Sequence, residues 1–302
     1  MNVALLVNPA ARAGADTGAA THAAERLRAH GVKTAVISGG SAAESTELLR
    51  AAIALGSDAV AVVGGDGTVN LAIQEVAGTG IPLGIIPAGT GNDFAATLGL
   101  RELDVTAAAD AIAGGRTRAV DLARVTRTDG SHSYFGSVLA SGFDSKVNDR
   151  ANAMRWPRGG SRYNIAILVE FLTLAGIPYA VELELPDGAT ERITGDLVMA
   201  TVGNGRTYGG GIPICPDADP ADGLLDVVLV RPAGRLRLLR LLPRVYAGTH
   251  TSVSEVSVRR VRSVRLNAPG VTAYADGDPI GVLPITVDVA REALTVFTPP
   301  PR

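Results

Sequence analysis

Four times within the first 113 residues, a short apolar run gives way to a longer alanine-rich stretch. Val3–Val7, Thr34–Ile37, Ala59–Val63 and Leu83–Ile86 have the length and branched residues of buried strands. Thr17–Ala29, Ser41–Leu55, Val69–Val76 and the segment around Asp104–Ala113 read as helices. Their ends are marked: Gly31 and Gly56 stop two of them, Ser41-Ala-Ala-Glu44 has the form of a capping box, and Asp104 suits an N-cap. Strands alternating with helices predict βαβ units on a parallel sheet, because parallel neighbours need a crossover connection.

From about Leu122 the pattern becomes strand-rich. Tyr134–Ala140, Val181–Leu185, Leu197–Val202, Asp226–Val230, Glu255–Val261, Val264–Leu266 and Val282–Val289 read as strands, interrupted by helical segments at Tyr163–Leu174 and Leu236–Tyr246. The expected architecture is an α/β domain over residues 1–123, completed by residues 290–302 returning to it, and a β-rich domain over residues 124–289. A chain of 302 residues suits two modest domains. Net charge is −2, so no global field recruits nucleic acid or anionic membrane, and either would need a local patch. Cys215 is the single cysteine, which excludes an intramolecular disulfide or a cysteine metal cluster. The start of the chain lacks a secretory signal pattern, and the apolar stretch Ile165–Ala175 is too short to span a bilayer and carries Glu170. The expectation is a cytoplasmic protein, attached to membranes at most peripherally.

Two loops stand out. Gly64-Gly65-Asp66-Gly67-Thr68 lies between a predicted strand and a helix, where glycines admit close approach and helix N–H groups suit a phosphate. Asp66 fits there only if a magnesium ion, a water or a ribose hydroxyl intervenes. Pro87-Ala88-Gly89-Thr90-Gly91-Asn92-Asp93 has the same setting. Both loops, with Asn8-Pro9 after the first strand, should open on the carboxyl edge of the sheet, where open α/β sheets bind ligands. Taken together they favour nucleotide binding over chance tight turns, although neither the dinucleotide nor the Walker A glycine pattern fits.

With Gly142-Phe143-Asp144, Asp219–Asp226 and Tyr274–Pro279 added in order, nearly the whole chain resembles the diacylglycerol kinase catalytic family of bacterial lipid kinases and sphingosine kinases. The resemblance implies an NAD kinase/diacylglycerol kinase-like nucleotide-binding domain followed by a β-rich sandwich. It also implies ATP- and Mg2+-dependent phosphorylation of a lipid hydroxyl at a membrane surface, with diacylglycerol giving phosphatidic acid. ATP would be held by Asn8, Pro9 and Ala10, by the loop Gly64, Gly65, Asp66, Gly67, Thr68, Val69, Asn70 and Leu71, and by Thr90. Asn92 and Asp93 would anchor the second loop or its magnesium–water network, and Asp66 would link to the catalytic Mg2+. A structural Mg2+ would sit on Asp219, Asp222 and the carbonyl of Leu224, in a segment whose residue types also suit a polar turn. The family's base lies in a D-G-E signature, where this chain has Asp276-Gly277-Asp278. Asp278 takes the base position but is one methylene shorter, so Asp276 is the second candidate. Arg12 stands near a position where relatives have lysine, and Arg158 or Arg162 could replace a second-domain lysine.

In Leu236–Val245, Arg237, Arg240 and Arg244 share one helix face and Leu238, Leu241, Leu242 and Val245 another. That pattern suits either an interfacial helix or, as expected here, one packed on a sheet with its arginines in water. An edge strand of the β-rich domain could pair two copies. The competing functions are phosphorylation of a soluble acceptor such as NAD and binding of lipid or nucleotide without turnover.

Overall fold

The computed structural model describes residues 1–7, 16–154, 156 and 161–300. The first part comprises β1 (Asn2–Val7), α1 (Asp16–Ala29), β2 (Lys33–Ile37), α2 (Ala42–Ala54), β3 (Ala59–Gly64), α3 (Asp66–Val76), β4 (Leu83–Pro87), α4 (Asp93–Thr97) and α5 (Val105–Ala113). The strands lie parallel in the order β2-β1-β3-β4. The helices pack on both sides, Ile73 and Val76 of α3 against one face and Ala108 and Ile112 of α5 against the other. Ser41 Oγ accepts the Glu44 N–H at 3.2 Å, while the Glu44 carboxylate turns back to the Gly40 N–H at 2.5 Å. Asp104 Oδ1 accepts the Ala107 N–H at 2.8 Å, an N-cap as its sequence position implies.

The second part follows with β5 (Thr117–Thr126), β6 (His132–Phe135), β7 (Val138–Gly142), α6 (Phe143–Ala153), α7 (Ser161–Leu172), β8 (Ile177–Glu184), β9 (Thr190–Leu197), β10 (Met199–Gly203) and β11 (Leu225–Val230). It ends with α8 (Arg235–Tyr246), β12 (Val256–Val261), β13 (Ser263–Asn267), β14 (Thr272–Ala275), β15 (Asp278–Val282) and β16 (Ile285–Phe297). One sheet of ten strands continues from β4 through β16, β13, β8 and β9, with β5 paired along β16 and β6 along β5. A second sheet of six runs β12-β11-β10-β7-β14-β15. Leu183, Val264 and Val287 of the first meet Leu139, Val202 and Val227 of the second in one core, as in a sandwich. Val296 of β16 pairs in parallel with Leu83 of β4, so the last strand returns to the parallel strands of the first part. Among the described residues no helix is long and apolar enough to cross a membrane.

Three expected strands are divided. Tyr134–Ala140 is split between β6 and β7, which belong to different sheets; at Gly136-Ser137 the main-chain N–H groups turn to the Asp276 carboxylate instead of a ladder. Leu197–Val202 likewise passes from β9 in one sheet to β10 in the other. Val282–Val289 is interrupted at Leu283-Pro284, since proline cannot donate to a ladder. The helix expected at Val69 begins at Asp66, and α6 was not expected at all.

Candidate active site

The glycine loops meet each other. Ala88 N–H donates to Gly64 O at 3.0 Å, and a Cβ added to Gly89 would lie 2.4 Å from the Gly65 Cα. Only glycine permits that approach. Asn92, left-handed at φ 55°, closes the second loop by accepting the Gly89 N–H (3.1 Å) and donating to Gly89 O (2.8 Å). Asp93 reaches into the second part of the chain, accepting from Thr207 Oγ1 at 2.9 Å and Gly210 N–H at 2.8 Å. Asp66 opens α3, and its Oδ1 accepts the Phe94 N–H at 3.3 Å. Burial, followed by the neighbouring Asp93, raises the Asp66 pKa above its usual 3.8.

Asp276 faces Asp66 across this mouth. It is held at φ 49° in the turn between β14 and β15, and its carboxylate accepts the N–H groups of Gly136 (2.8 Å), Ser137 (3.0 Å) and Val138 (3.1 Å). Burial outweighs those bonds and lifts its pKa to about 6, with Asp66 adding to the effect. Asp278 is exposed and does not line the space between the loops; Asn70 Nδ2 of α3 donates to its Oδ2 at 3.2 Å. The turn therefore presents Asp276, and not Asp278, to the space between the loops.

That space continues into a cavity of about 660 Å³. Asp66, Thr90, Gly91, Asp93 and Asp276 line its polar end. Farther in, the walls are Phe143 and Val147 of α6, Ile167 and Phe171 of α7, Met199 and Val230 of the smaller sheet, and Leu238, Leu241 and Val245 of α8. The volume is in the range of small-molecule sites, and the lining is predominantly apolar. Two polar features interrupt it. Asp144, raised to about 6 by burial, is hydrogen-bonded by Tyr208 and keeps Oδ2 buried without a partner. Tyr274 donates to Asp149 at 2.6 Å. The Gly142-Phe143-Asp144 motif was the only sequence signal for Asp144, and Tyr274 had only its place at the head of the Tyr274–Pro279 motif; Tyr208 and Asp149 carried none.

Of the other expected residues, Asp66, Thr90 and Asp93 line the cavity's polar end. Gly64 and Gly65 adjoin it through their contacts with the second loop, whereas Thr68 is buried and Val69 and Leu71 pack in the core beneath. Asn8, Pro9, Ala10, Arg12 and Arg158 lie outside the described residues. Arg162 stacks over the Tyr163 ring at 5.3 Å. Asp219 and Asp222 form tight turns of their own, accepting the N–H groups of Ala221 (3.1 Å) and Leu224 (2.9 Å). Arg260 pairs with Asp222, and its Nε stands 3.5 Å from Asp226. Arg260 thus already occupies one side of Asp222. Among the described residues no three acidic, histidine or cysteine side chains converge, either here or at the mouth. As arranged, Asp219, Asp222 and Leu224 do not fit a bound Mg2+ unless Arg260 is displaced. The mouth differs: two carboxylates there have raised pKa values and oppose each other, which a cation relieves. Mg2+ typically takes one or two carboxylates and fills its shell with phosphate oxygens and water, so these residues fit the ion together with a nucleotide.

The model of the diacylglycerol kinase catalytic domain matches residues 2–125, and that of the YegS C-terminal NAD kinase beta sandwich-like domain matches residues 137–298. A protein of Mycobacterium tuberculosis named diacylglycerol kinase is 47% identical over 297 residues, 98% of this chain and 95% of that protein. A protein of Pectobacterium atrosepticum named "Probable lipid kinase YegS-like" is 31% identical over 258 residues, 82% and 81% of the two chains. A crystal structure described as a diacylglycerol kinase from Bacillus anthracis superposes with a TM-score of 0.71 at 22% identity, covering 99% of this chain and 97% of that one, which supports the fold. With both halves of the fold matched and a close relative spanning the chain, the protein belongs to the diacylglycerol kinase family of lipid-kinase phosphotransferases.

Proposed function

We propose that this protein transfers the γ-phosphoryl group of ATP to the free hydroxyl of diacylglycerol, giving phosphatidic acid and ADP. The observation that carries the proposal is the continuity of the apolar cavity with the carboxylate mouth beside the glycine loops. An amphiphile fits it with acyl chains inside and hydroxyl at Asp66 and Asp276. A soluble acceptor such as NAD has no use for the walls of Phe143, Phe171 and Leu241.

In this reading the α3 N-terminus and the Gly65–Gly89 contact seat the phosphates, using N–H groups that a helix start leaves unpaired. Asp66 would hold a Mg2+ bound together with the nucleotide, and that ion would supply charge neutralisation. The acceptor oxygen bonds to the γ-phosphorus as the bond to ADP breaks, and its proton passes to a carboxylate at the mouth. Asp276 suits that role better than Asp278, because it faces the cavity and retains a free lone-pair site beside its three N–H bonds. Asp278 instead holds Asn70 and the nucleotide-side helix in register with the turn.

The test uses labelled ATP, Mg2+ and detergent-dispersed diacylglycerol, sphingosine, ceramide and monoacylglycerol, with NAD and no-acceptor controls. Label in phosphatidic acid, abolished by Asp66→Asn and Asp276→Asn but only reduced by Asp278→Asn, is the expected result. Label in another lipid would change the acceptor. Label in NADP alone, or none at all with ATP bound, would overturn the proposal.

A further inference from the structure

Twelve large apolar side chains are exposed among the described residues, and six lie on the outer faces of two helices. Ile165, Leu168 and Leu172 recur at three- and four-residue spacing on α7, and Leu236 and Leu239 share one stripe of α8 with Tyr246, which is exposed and also borders the cavity. Leu168 is 58% exposed and Leu236 is 63% exposed. Trp156, the single tryptophan, precedes α7 and is 81% exposed. The inner faces of the same helices, through Ile167, Phe171, Leu238 and Leu241, wall the cavity. Each helix is thus apolar on two sides, which a helix merely packed on a sheet does not need.

The charges beside these stripes have one sign. Arg235, Arg237, Arg240 and Arg244 are exposed on α8, which carries no acidic residue, and only Arg237 is drawn to a carboxylate, that of Glu255. The one acid of α7, Glu170, is tucked against Arg150. In a chain of net charge −2, this cap is a local cationic and apolar surface. A second copy docked face to face would set its arginine rows against each other without acidic partners.

We propose that the outer faces of α7 and α8 dock this protein on an anionic lipid bilayer. The inference rests on the lipid-acceptor reading for its choice of occupant, since the docking helices are also the walls of the cavity that receives the acyl chains. Leucine stripes enter the headgroup–acyl boundary, Trp156 and Tyr246 lie at headgroup level, and the arginines meet anionic headgroups.

Vesicles of phosphatidylglycerol mixed with phosphatidylcholine, and of phosphatidylcholine alone, test this by co-sedimentation and by Trp156 emission. The wild type should bind the anionic vesicles with a blue shift, weakened by salt. The double variant Leu168→Asp/Leu239→Asp, and separately Arg240→Glu/Arg244→Glu, should lose roughly tenfold or more in vesicle affinity. Both should keep the wild-type melting temperature and turnover of a water-soluble short-chain diacylglycerol. Undiminished vesicle binding by both variants would overturn the inference, as would a wild-type dimer in solution that the leucine variant dissolves. No turnover of the short-chain acceptor by the wild type would instead refute the acceptor reading, leaving vesicle binding to decide the surface.

Discussion

Val138 and Asp276 are bonded to each other twice: the Val138 N–H donates to Asp276 Oδ1 at 3.1 Å, and the Asp276 N–H donates to Val138 O at 3.1 Å. With Gly136 and Ser137 also donating to the carboxylate, the candidate base clamps the point where the chain leaves one sheet for the other. Asp276→Asn puts an amide NH2 against main-chain N–H groups and should cost about 2–3 kcal/mol of stability besides abolishing turnover. Asp278→Asn, at an exposed position, should shift the denaturant midpoint little. Urea unfolding of the two variants checks the contrast.

Asp144 predicts a pH-dependent stability. Its folded pKa is raised from 3.8 to about 6 by burial, so the native state holds its proton more tightly than the unfolded state. The stability associated with that proton is fully present below about pH 4 and lost as pH rises through about 6. Asp144→Asn keeps an acceptor for Tyr208 and never ionises. It should gain roughly 1–2 kcal/mol over the wild type at pH 8 relative to pH 4, after allowance for cavity water. Equal differences at both pH values would contradict the burial argument.

The two glycine loops separate packing from binding. Gly89→Ala forces a Cβ to 2.4 Å from the Gly65 Cα, with backbone on both sides, and should lose about 1–3 kcal/mol together with ATP binding. A Cβ at Gly67 meets nothing within 4 Å, so Gly67→Ala should keep full stability. If phosphates seat on the α3 N-terminus, it should nevertheless weaken ATP. Thermal melts and nucleotide titrations of both variants check this.

Arg260 lies directly across from Asp226 in the β11–β12 ladder and also pairs with Asp222. Asp226 is nearly buried, and its pKa is already lifted to about 6 by that burial against the pull of Arg260. Arg260→Ala should lower stability by about 1–2 kcal/mol, discounted for the half-exposed guanidinium. Millimolar Mg2+ should restore part of the loss in the variant and leave the wild-type melting temperature unchanged. A rise in the wild type would mean that the Asp219–Leu224 segment takes the ion alongside Arg260.

The nucleotide-side half was legible because its signals are local. Strand, glycine turn and helix N-terminus adjoin in sequence at Gly64–Thr68 and again at Pro87–Asp93, and parallel connection obliges both loops to share one edge. Apolar periodicity likewise located α7 and α8. It named Leu238, Leu241, Leu242 and Val245 as one packed face but left out the second apolar stripe, because Leu236 and Leu239 read as parts of the same leucine-rich run.

What the amino-acid order determined by itself was the βα alternation, the paired glycine loops and the family pattern, all set by neighbours a few residues apart. The tertiary structure decided which acid faces the cavity. Asp276 and Asp278 are two residues apart in one turn, and only the N–H groups of Gly136, Ser137 and Val138 turn Asp276 inward. Those donors lie 138 to 140 positions earlier in the chain and are freed because two sheets diverge there. The cavity has the same origin: its walls come from three helices and a sheet face that meet only on folding.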